Sequence, residues 1–194
     1  MNFFNKDVNM RKLLLALLAL PLLITTSTNV VFSKENALTI GSKIPSEVIL
    51  KNQDGDLKDL QGLAGDNGSV IVFYRSAKWC PYCQAQLINL NAYHDDITEK
   101  GYEVVGVSYD SVEELKKFSD KRKIPFALLA DEGSDVIKKF GIFNEDHEKG
   151  SFAYGVPHPT IYVTDGSGLI KAVLTEEGYK KRPEVSDIMK AIEK

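Results

Sequence analysis

The hydrophobic positions of this chain follow two periods, one typical of strands and one typical of helices. Short apolar runs rich in β-branched and aromatic residues indicate buried strands, and apolar residues at steps of three and four indicate helices. The run at 69–74 predicts a buried strand. The segment after it predicts a helix whose inward positions are Leu87, Leu90, His94 and Ile97.

The remaining elements are predicted from the same two signals and from turn and capping residues. Ser111 and Glu114 form a capping box, which indicates a helix from there to about Arg122. The other predicted elements, in chain order, are a hairpin around 48–56, strands at 102–108 and 126–129, a helix ending at Gly141, a polar loop at 143–155, paired strands at 160–163 and 169–174, and a helix opening at Pro183. Strands that first alternate with helices and then form a hairpin predict an α/β domain.

The N-terminal segment has the pattern of a targeting sequence. Three basic residues precede an uncharged, mainly apolar stretch of twelve residues at 13–24. That stretch is shorter than the roughly 20 residues of a membrane-spanning helix, and it matches the apolar region of a secretory signal peptide. We therefore predict a signal peptide at 1–33, with an uncleaved membrane anchor as the alternative, and a single domain at 34–194. The protein is then expected to be exported, to the periplasm or the extracellular space.

Composition and charge argue against several classes of function. The 194-residue chain has a formal net charge of −3 at pH 7 and shows no basic stripe or aromatic platform, so nucleic acid is not an expected partner. The three histidines show no spacing typical of a metal-ligand pair. We expect neither a metal nor an organic cofactor, because the thiol chemistry predicted for this chain needs neither.

The only two cysteines lie three residues apart, in Trp79-Cys80-Pro81-Tyr82-Cys83, between the predicted strand and helix. Pro81 suits the first helical position, because the N–H that proline lacks has no helical partner there. Cys80 then lies near the N-cap, where it faces unpaired backbone N–H groups and the positive end of the helix dipole. Both favour the thiolate, which is the nucleophilic form of the side chain. The arrangement therefore indicates a redox-active pair.

Three other interpretations of the two cysteines remain open: a structural disulfide, a zinc site and a pair of inert thiols. A disulfide across so short a loop adds little stability, because the chain-entropy gain grows with loop length. Zinc takes four ligands, and only His94, His147 and His158 are histidines that could complete a shell around the sulfurs. Redox chemistry is favoured because a strand, a turn and a helix surround the pair.

A second part of the site is predicted at 156–160, at the start of the strand predicted for 160–163. A cis peptide bond at Pro159 would let His158 present its backbone to an extended substrate beside the sulfurs. The alternative is a turn that only starts the strand. His158 is either a residue that tunes the thiol or a solvated side chain. Arg75 and Lys78 are candidates for stabilising a thiolate, and the alternative is that both are solvated loop cations. Trp79 either packs over the cysteines or anchors the end of the strand.

Several strings along the chain, taken together, match those of a known family. They are Gly41-Ser42-Lys43-Ile44-Pro45, Val72-Phe73-Tyr74-Arg75, the segment 79–87, the segment 105–111, and Pro159-Thr160-Ile161. From about 41 to 192 the chain resembles the peroxiredoxin-like family of alkyl hydroperoxide reductases and thiol-specific antioxidants, in the thioredoxin superfamily. The resemblance implies a thioredoxin-like fold, with a central mixed sheet flanked by helices and an N-terminal hairpin. It also implies that Cys80 is the attacking cysteine, Cys83 its resolving partner and Pro159 the cis-proline.

Three positions depart from that family pattern and influence the functional prediction. Ala77 stands where typical members have a threonine or serine, Arg75 stands where a proline is expected, and no arginine directly precedes Thr160. The missing hydroxyl and arginine would polarise the peroxide O–O bond, so we predict thiol–disulfide exchange as the main activity. A thiol-dependent peroxidase with the same cysteines is the alternative. A non-catalytic partner-binding module is the alternative of another class.

The predicted site combines the two cysteines with their neighbours in sequence and in the expected fold. The catalytic residues are Cys80 and Cys83, and the supporting residues are Trp79, Pro81, Tyr82, Arg75, His158, Pro159 and Thr160. In the predicted reaction, Cys80 attacks a disulfide or a peroxide, and Cys83 then resolves the adduct. The expected partners are protein or small-molecule disulfides, or peroxides, and a thiol reductase that donates electrons.

Overall fold

The computed structural model describes residues 37–178 and 180–193. The predicted signal peptide at 1–33 lies outside the described residues, so its presence and its cleavage stay predictions. Within the described part of the chain, no helix is long and apolar enough to cross a membrane.

Seven strands of the described part of the chain form one mixed sheet. They are β1 (Ile49–Asn52), β2 (Leu57–Asp59), β3 (Gly68–Phe73), β4 (Tyr102–Ser108), β5 (Ala127–Ala130), β6 (Thr160–Thr164) and β7 (Ile170–Thr175). Their order across the sheet is β2-β1-β5-β4-β3-β6-β7. The pairs β3/β4 and β4/β5 are parallel, and the other neighbours are antiparallel. The predicted mixed sheet is therefore confirmed, and the N-terminal hairpin of β1 and β2 extends one edge of it.

Within the described residues, five α-helices flank the sheet. They are α1 (Pro81–Ala92), α2 (His94–Glu99), α3 (Val112–Arg122), α4 (Asp135–Lys139) and α5 (Val185–Ile192). The capping box of α3 is present, because the Ser111 hydroxyl accepts the Glu114 N–H while the Glu114 carboxylate accepts the Ser111 N–H. That helix ends at Arg122, as its sequence predicts.

Two helices differ from their sequence-based predictions. The helix that follows the cysteines is not continuous to Ile97, because Tyr93 leaves helical geometry with φ −113° and ψ 13° and so separates α1 from α2. His94, predicted on the apolar face, is only half-buried and stacks on the Phe126 ring at 5.8 Å. The last helix begins at Val185 rather than at Pro183, because Glu184 is still extended.

The two faces of β3 pack into two different apolar cores. Val70 and Val72 pack with α1, α3 and α5, whereas Ile71 and Phe73 pack with α4. This alternation is the two-residue period of a strand that is covered on both faces. Both cysteines belong to the first core. The active-site helix α1 is thereby fixed against the central strand that leads into it.

Candidate functional site

The two cysteines occupy the first turn of α1, as the sequence predicts. Cys80 is the N-cap, with extended backbone at φ −94° and ψ 102°, and Pro81 is the first helical residue. The backbone N–H of Cys83 donates to Cys80 Sγ at 3.2 Å, so the sulfur takes the place of a capping oxygen. Cys80 and Cys83 are joined by a disulfide, with their Cα atoms 5.3 Å apart. The helix start therefore holds both sulfurs within bonding distance.

Two guanidinium groups lie beside these sulfurs. Arg75 Nη2 is 3.6 Å from Cys80 Sγ, and Arg75 is only 2% exposed. Arg182 Nη2 lies 3.8 Å from Cys80 Sγ and 3.4 Å from Cys83 Sγ. Arg75 was among the predicted site residues, whereas Arg182 was not. Cations this close to a sulfur favour the thiolate over the thiol when the disulfide is reduced.

A buried carboxylate holds the loop that carries Arg75 into α1. Asp110 Oδ1 accepts the Ser76 hydroxyl at 2.6 Å, and Asp110 Oδ2 accepts the Ala77 N–H at 2.6 Å and the Ser108 hydroxyl at 3.0 Å. Burial raises the pKa of Asp110, and the three hydrogen bonds act in the opposite direction. The Ser76 hydroxyl and the Ala77 N–H are therefore both bonded to Asp110, and these bonds fix the conformation of the loop.

Substitution of Asp110 by Ala is expected to lower the free energy of unfolding by about 3 kcal/mol at pH 7. The change leaves three buried donors without their acceptor, and each such donor costs about 1–3 kcal/mol, partly offset because an ionised group is no longer buried. The contribution of the Asp110 carboxylate to the free energy of unfolding also depends on pH. Its folded-state pKa is raised, so the folded protein holds the proton more tightly than the unfolded chain, and the wild type gains stability as pH falls toward the ordinary Asp value.

Urea denaturation at pH 7 and at mildly acidic pH measures both effects, and Asp66→Ala is the matched control because Asp66 is exposed. The Asp110 variant should show a smaller acid-side gain than the wild type, because burial also raises the pKa of Asp131 and that carboxylate keeps its own contribution. A loss below about 0.5 kcal/mol, as for an ordinary surface substitution, would contradict the structural role of Asp110.

Trp79 connects the cysteine loop to the long polar loop at 143–155. Its indole N–H donates to the Tyr109 hydroxyl at 2.8 Å, and that hydroxyl donates to the Phe152 carbonyl at 2.6 Å. The Trp79 and Phe152 rings also meet edge to face, with centroids 5.1 Å apart. Trp79 therefore joins the cysteine loop to the loop at 143–155. Packing over the cysteines and anchoring of the strand end both stay predictions.

The segment before β6 lies at the same end of the sheet as the cysteine loop. Thr160 pairs with Phe73, the last residue of β3, and so lies beside the chain that continues to Arg75. The His158 N–H donates to the Ile142 carbonyl at 2.7 Å, and the Thr160 hydroxyl donates to the His158 carbonyl at 3.0 Å. The predicted proximity of 158–160 to the cysteine loop agrees with this register. A cis bond at Pro159, and a role in binding substrate, stay predictions.

An open groove of about 430 Å³ runs along α1 on the side of Arg182. Tyr82, Gln86, Leu90 and Ile188 line it together with the segment 180–185. Tyr82 is half-buried and Pro81 is exposed, so both are accessible next to the disulfide. Among the described residues, no group of three or more histidine, cysteine, aspartate and glutamate side chains is arranged to hold a metal ion.

Residues 40–173 match the model of the AhpC/TSA family. The chain belongs to this family. It is 30% identical over 141 residues to peroxiredoxin Bcp of Escherichia coli, a match that covers 73% of this chain and 88% of that protein. It is also 30% identical over 166 residues to the chloroplastic peroxiredoxin Q of Sedum lineare, covering 85% of this chain and 82% of that protein. Family membership confirms the predicted enzyme class, an oxidoreductase.

The fold is similar to that of solved peroxiredoxin structures. The crystal structure of peroxidoxin BcpB from Mycobacterium tuberculosis superposes with a TM-score of 0.67 at 24% identity, covering 80% of this chain and 95% of that one. The predicted thioredoxin-like, peroxiredoxin-like fold is therefore confirmed.

Proposed function

We propose that this protein is a thiol-dependent peroxidase in which Cys80 reduces the peroxide and Cys83 resolves the oxidised product. The observation that carries the proposal is the guanidinium group of Arg75, buried and 3.6 Å from Cys80 Sγ. The sequence pattern suggested that donors for the peroxide oxygens were missing, and this favoured disulfide exchange. Arg75 supplies such a donor from a different position, and the curated relatives named above are peroxiredoxins. Both facts favour the peroxidase alternative.

The first chemical step breaks the O–O bond. The Cys80 thiolate attacks one peroxide oxygen, an S–O bond forms, and the second oxygen leaves as an alkoxide or hydroxide that takes a proton to give an alcohol or water. Cys80 is oxidised to the sulfenic acid. Arg75 stabilises the thiolate before the attack and donates to the oxygen on which negative charge develops.

The second step forms the disulfide. The Cys83 thiolate attacks Cys80 Sγ, the S–O bond breaks, and the departing hydroxide is protonated to water. A reductant with two thiols then returns the pair to its reduced form by thiol–disulfide exchange. The reductant is proposed to be a thiol reductase. Exchange with other disulfides is a second candidate activity, because the two sulfurs lie one helical turn apart with Cα atoms 5.3 Å apart.

The rate at which reduced Cys80 reacts with each oxidant tests this proposal. Trp79 adjoins Cys80 in sequence, so its fluorescence is expected to report oxidation in a stopped-flow experiment. Reduced protein is mixed separately with hydrogen peroxide and with oxidised glutathione, over a range of concentrations. A peroxidase with a donor placed for the leaving oxygen should show a larger second-order rate constant for the peroxide than for the disulfide. A faster reaction with the disulfide would establish exchange as the main activity.

Export is a separate proposal that depends on the segment 1–33. The basic start and the apolar stretch at 13–24 support it. Cell fractionation of the expressed full chain, with mass spectrometry of its N-terminus, tests it. An intact N-terminus on a protein confined to the cytosol would contradict it.

A further inference from the structure

Arg182 reaches the active site from a distant part of the sequence. It lies 99 positions after Cys83, in the segment between β7 and α5, and its guanidinium is 3.4 Å from Cys83 Sγ. Pro183 is buried directly after it, and Ile188 of α5 is fully buried in the same core as the cysteines. The segment is thereby held directly after the arginine, on its C-terminal side.

The two arginines differ in which sulfur they contact. Arg75 Nη2 lies 3.6 Å from Cys80 Sγ, whereas Arg182 contacts both sulfurs and is closer to Cys83, at 3.4 Å against 3.8 Å. The two side chains are therefore placed for different steps. Arg75 lies beside the sulfur that attacks, and Arg182 lies beside the sulfur that resolves.

Cys83 has greater need of a cation than Cys80. Both cysteines are buried in the same apolar core, Cys83 at 0% and Cys80 at 1% exposure, and burial in apolar surroundings disfavours a thiolate at each. The backbone N–H of Cys83 is directed to Cys80 Sγ. The N-cap position, which favours the thiolate of Cys80, is therefore not available to Cys83.

We propose that Arg182 activates the resolving cysteine by stabilising the Cys83 thiolate. The proposal rests on the roles assigned to the two cysteines under the proposed function. During resolution, Arg182 keeps Cys83 deprotonated for its attack on Cys80 Sγ, where the S–S bond forms and hydroxide leaves. During reduction, an external thiolate attacks Cys80 Sγ, the S–S bond breaks, and Arg182 stabilises the Cys83 thiolate as it leaves.

The first test measures ionisation of Cys83 without any oxidant. In the Cys80→Ser variant Cys83 is the only thiol. Its ionisation is followed as thiolate absorbance at 240 nm against pH. The absorbance of a variant that lacks both cysteines is subtracted, because ionising tyrosines also absorb at this wavelength. Adding Arg182→Gln should move the midpoint to higher pH, and Arg182→Lys should restore part of the shift. Lys181→Gln is the matched control, because Lys181 is an exposed cation of the same segment. It should leave the midpoint in place.

The second test measures the lifetime of the oxidised intermediate in the full chain with both cysteines. Reduced protein receives one equivalent of hydrogen peroxide and is quenched with dimedone at intervals, and intact mass gives the amount of sulfenic acid. Arg182→Gln should lengthen the lifetime about tenfold, the change in thiolate fraction that accompanies a shift of one pH unit. The formation rate should change much less, and Lys181→Gln should match the wild type.

Unchanged titration and unchanged lifetime in Arg182→Gln would overturn the role of Arg182. If the wild type does not react with peroxide, the peroxidase proposal fails, while the titration still decides whether Arg182 stabilises the Cys83 thiolate. In that case resolution is followed instead from a mixed disulfide formed with a small aromatic disulfide. Circular dichroism of each variant establishes that the fold is retained.

Discussion

Substitution of Cys80 by Ser is expected to abolish peroxide consumption, with a loss of at least about 10³-fold in the presence of dithiothreitol. The serine hydroxyl is not ionised at neutral pH and cannot replace the thiolate as the nucleophile. Substitution of Cys83 by Ser should have a different effect, because Cys80 can still attack the peroxide. That variant should show the first oxidation at a rate near that of the wild type, with slower turnover.

The paired variants also control for each other, because each removes one sulfur from the same helix turn. With excess peroxide and no reductant, Cys80 of the Cys83→Ser variant should be oxidised further, from the sulfenic to the sulfinic acid. In the wild type, oxidation should stop at the Cys80–Cys83 disulfide. If Cys83→Ser abolished the first oxidation and Cys80→Ser retained it, the assigned roles would be reversed.

Substitution of Arg75 by Gln is expected to slow oxidation of Cys80 by hydrogen peroxide by about 10²–10³-fold. The guanidinium lies 3.6 Å from Cys80 Sγ in a buried position, where a preorganised donor stabilises charge more strongly than it does in water. Arg75→Lys keeps the charge but loses the planar fork of donors, so it should recover only part of the rate. Stopped-flow fluorescence of Trp79 measures each rate constant.

The control for the Arg75 variants is Arg122→Gln, which removes the charge of an exposed arginine at the end of α3. It should oxidise at the wild-type rate. Arg75 would not be the donor if the Arg75→Gln variant kept the circular dichroism spectrum of the folded protein and its rate constant for oxidation stayed within a factor of about three of the wild type. The peroxidase mechanism would then need another donor.

Local features of the fold were predictable from the sequence because they depend on neighbouring residues. The N-cap position of Cys80, the helical start at Pro81 and the capping box at Ser111 are each decided within one turn of helix. The apolar run of β3 was likewise sufficient to identify a buried central strand. The break at Tyr93 was not predictable, because Ile97 continues the helical spacing and no proline or glycine marks the end of α1.

The contacts that complete the site were not predictable because they join residues far apart in sequence. Arg182 reaches Cys83 across 99 positions, and its segment has no periodic pattern that would orient it. The link from Trp79 through Tyr109 to Phe152 crosses two loops in the same way. A search for cations near the start of the last helix is the one sequence signal that could have suggested Arg182. By contrast Arg75, five positions before Cys80, was within reach of reasoning from the sequence.

Intact-mass spectrometry of the Cys83→Ser variant decides whether Cys80 reduces a peroxide. The reduced variant is treated with one equivalent of hydrogen peroxide in the presence of dimedone, and the product is digested to locate the adduct. A peroxidatic Cys80 should carry one dimedone adduct, and the variant that also carries Cys80→Ser should carry none. A Cys80 that remains a free thiol under these conditions, while it readily forms a mixed disulfide with oxidised glutathione, would show that it does not reduce peroxides.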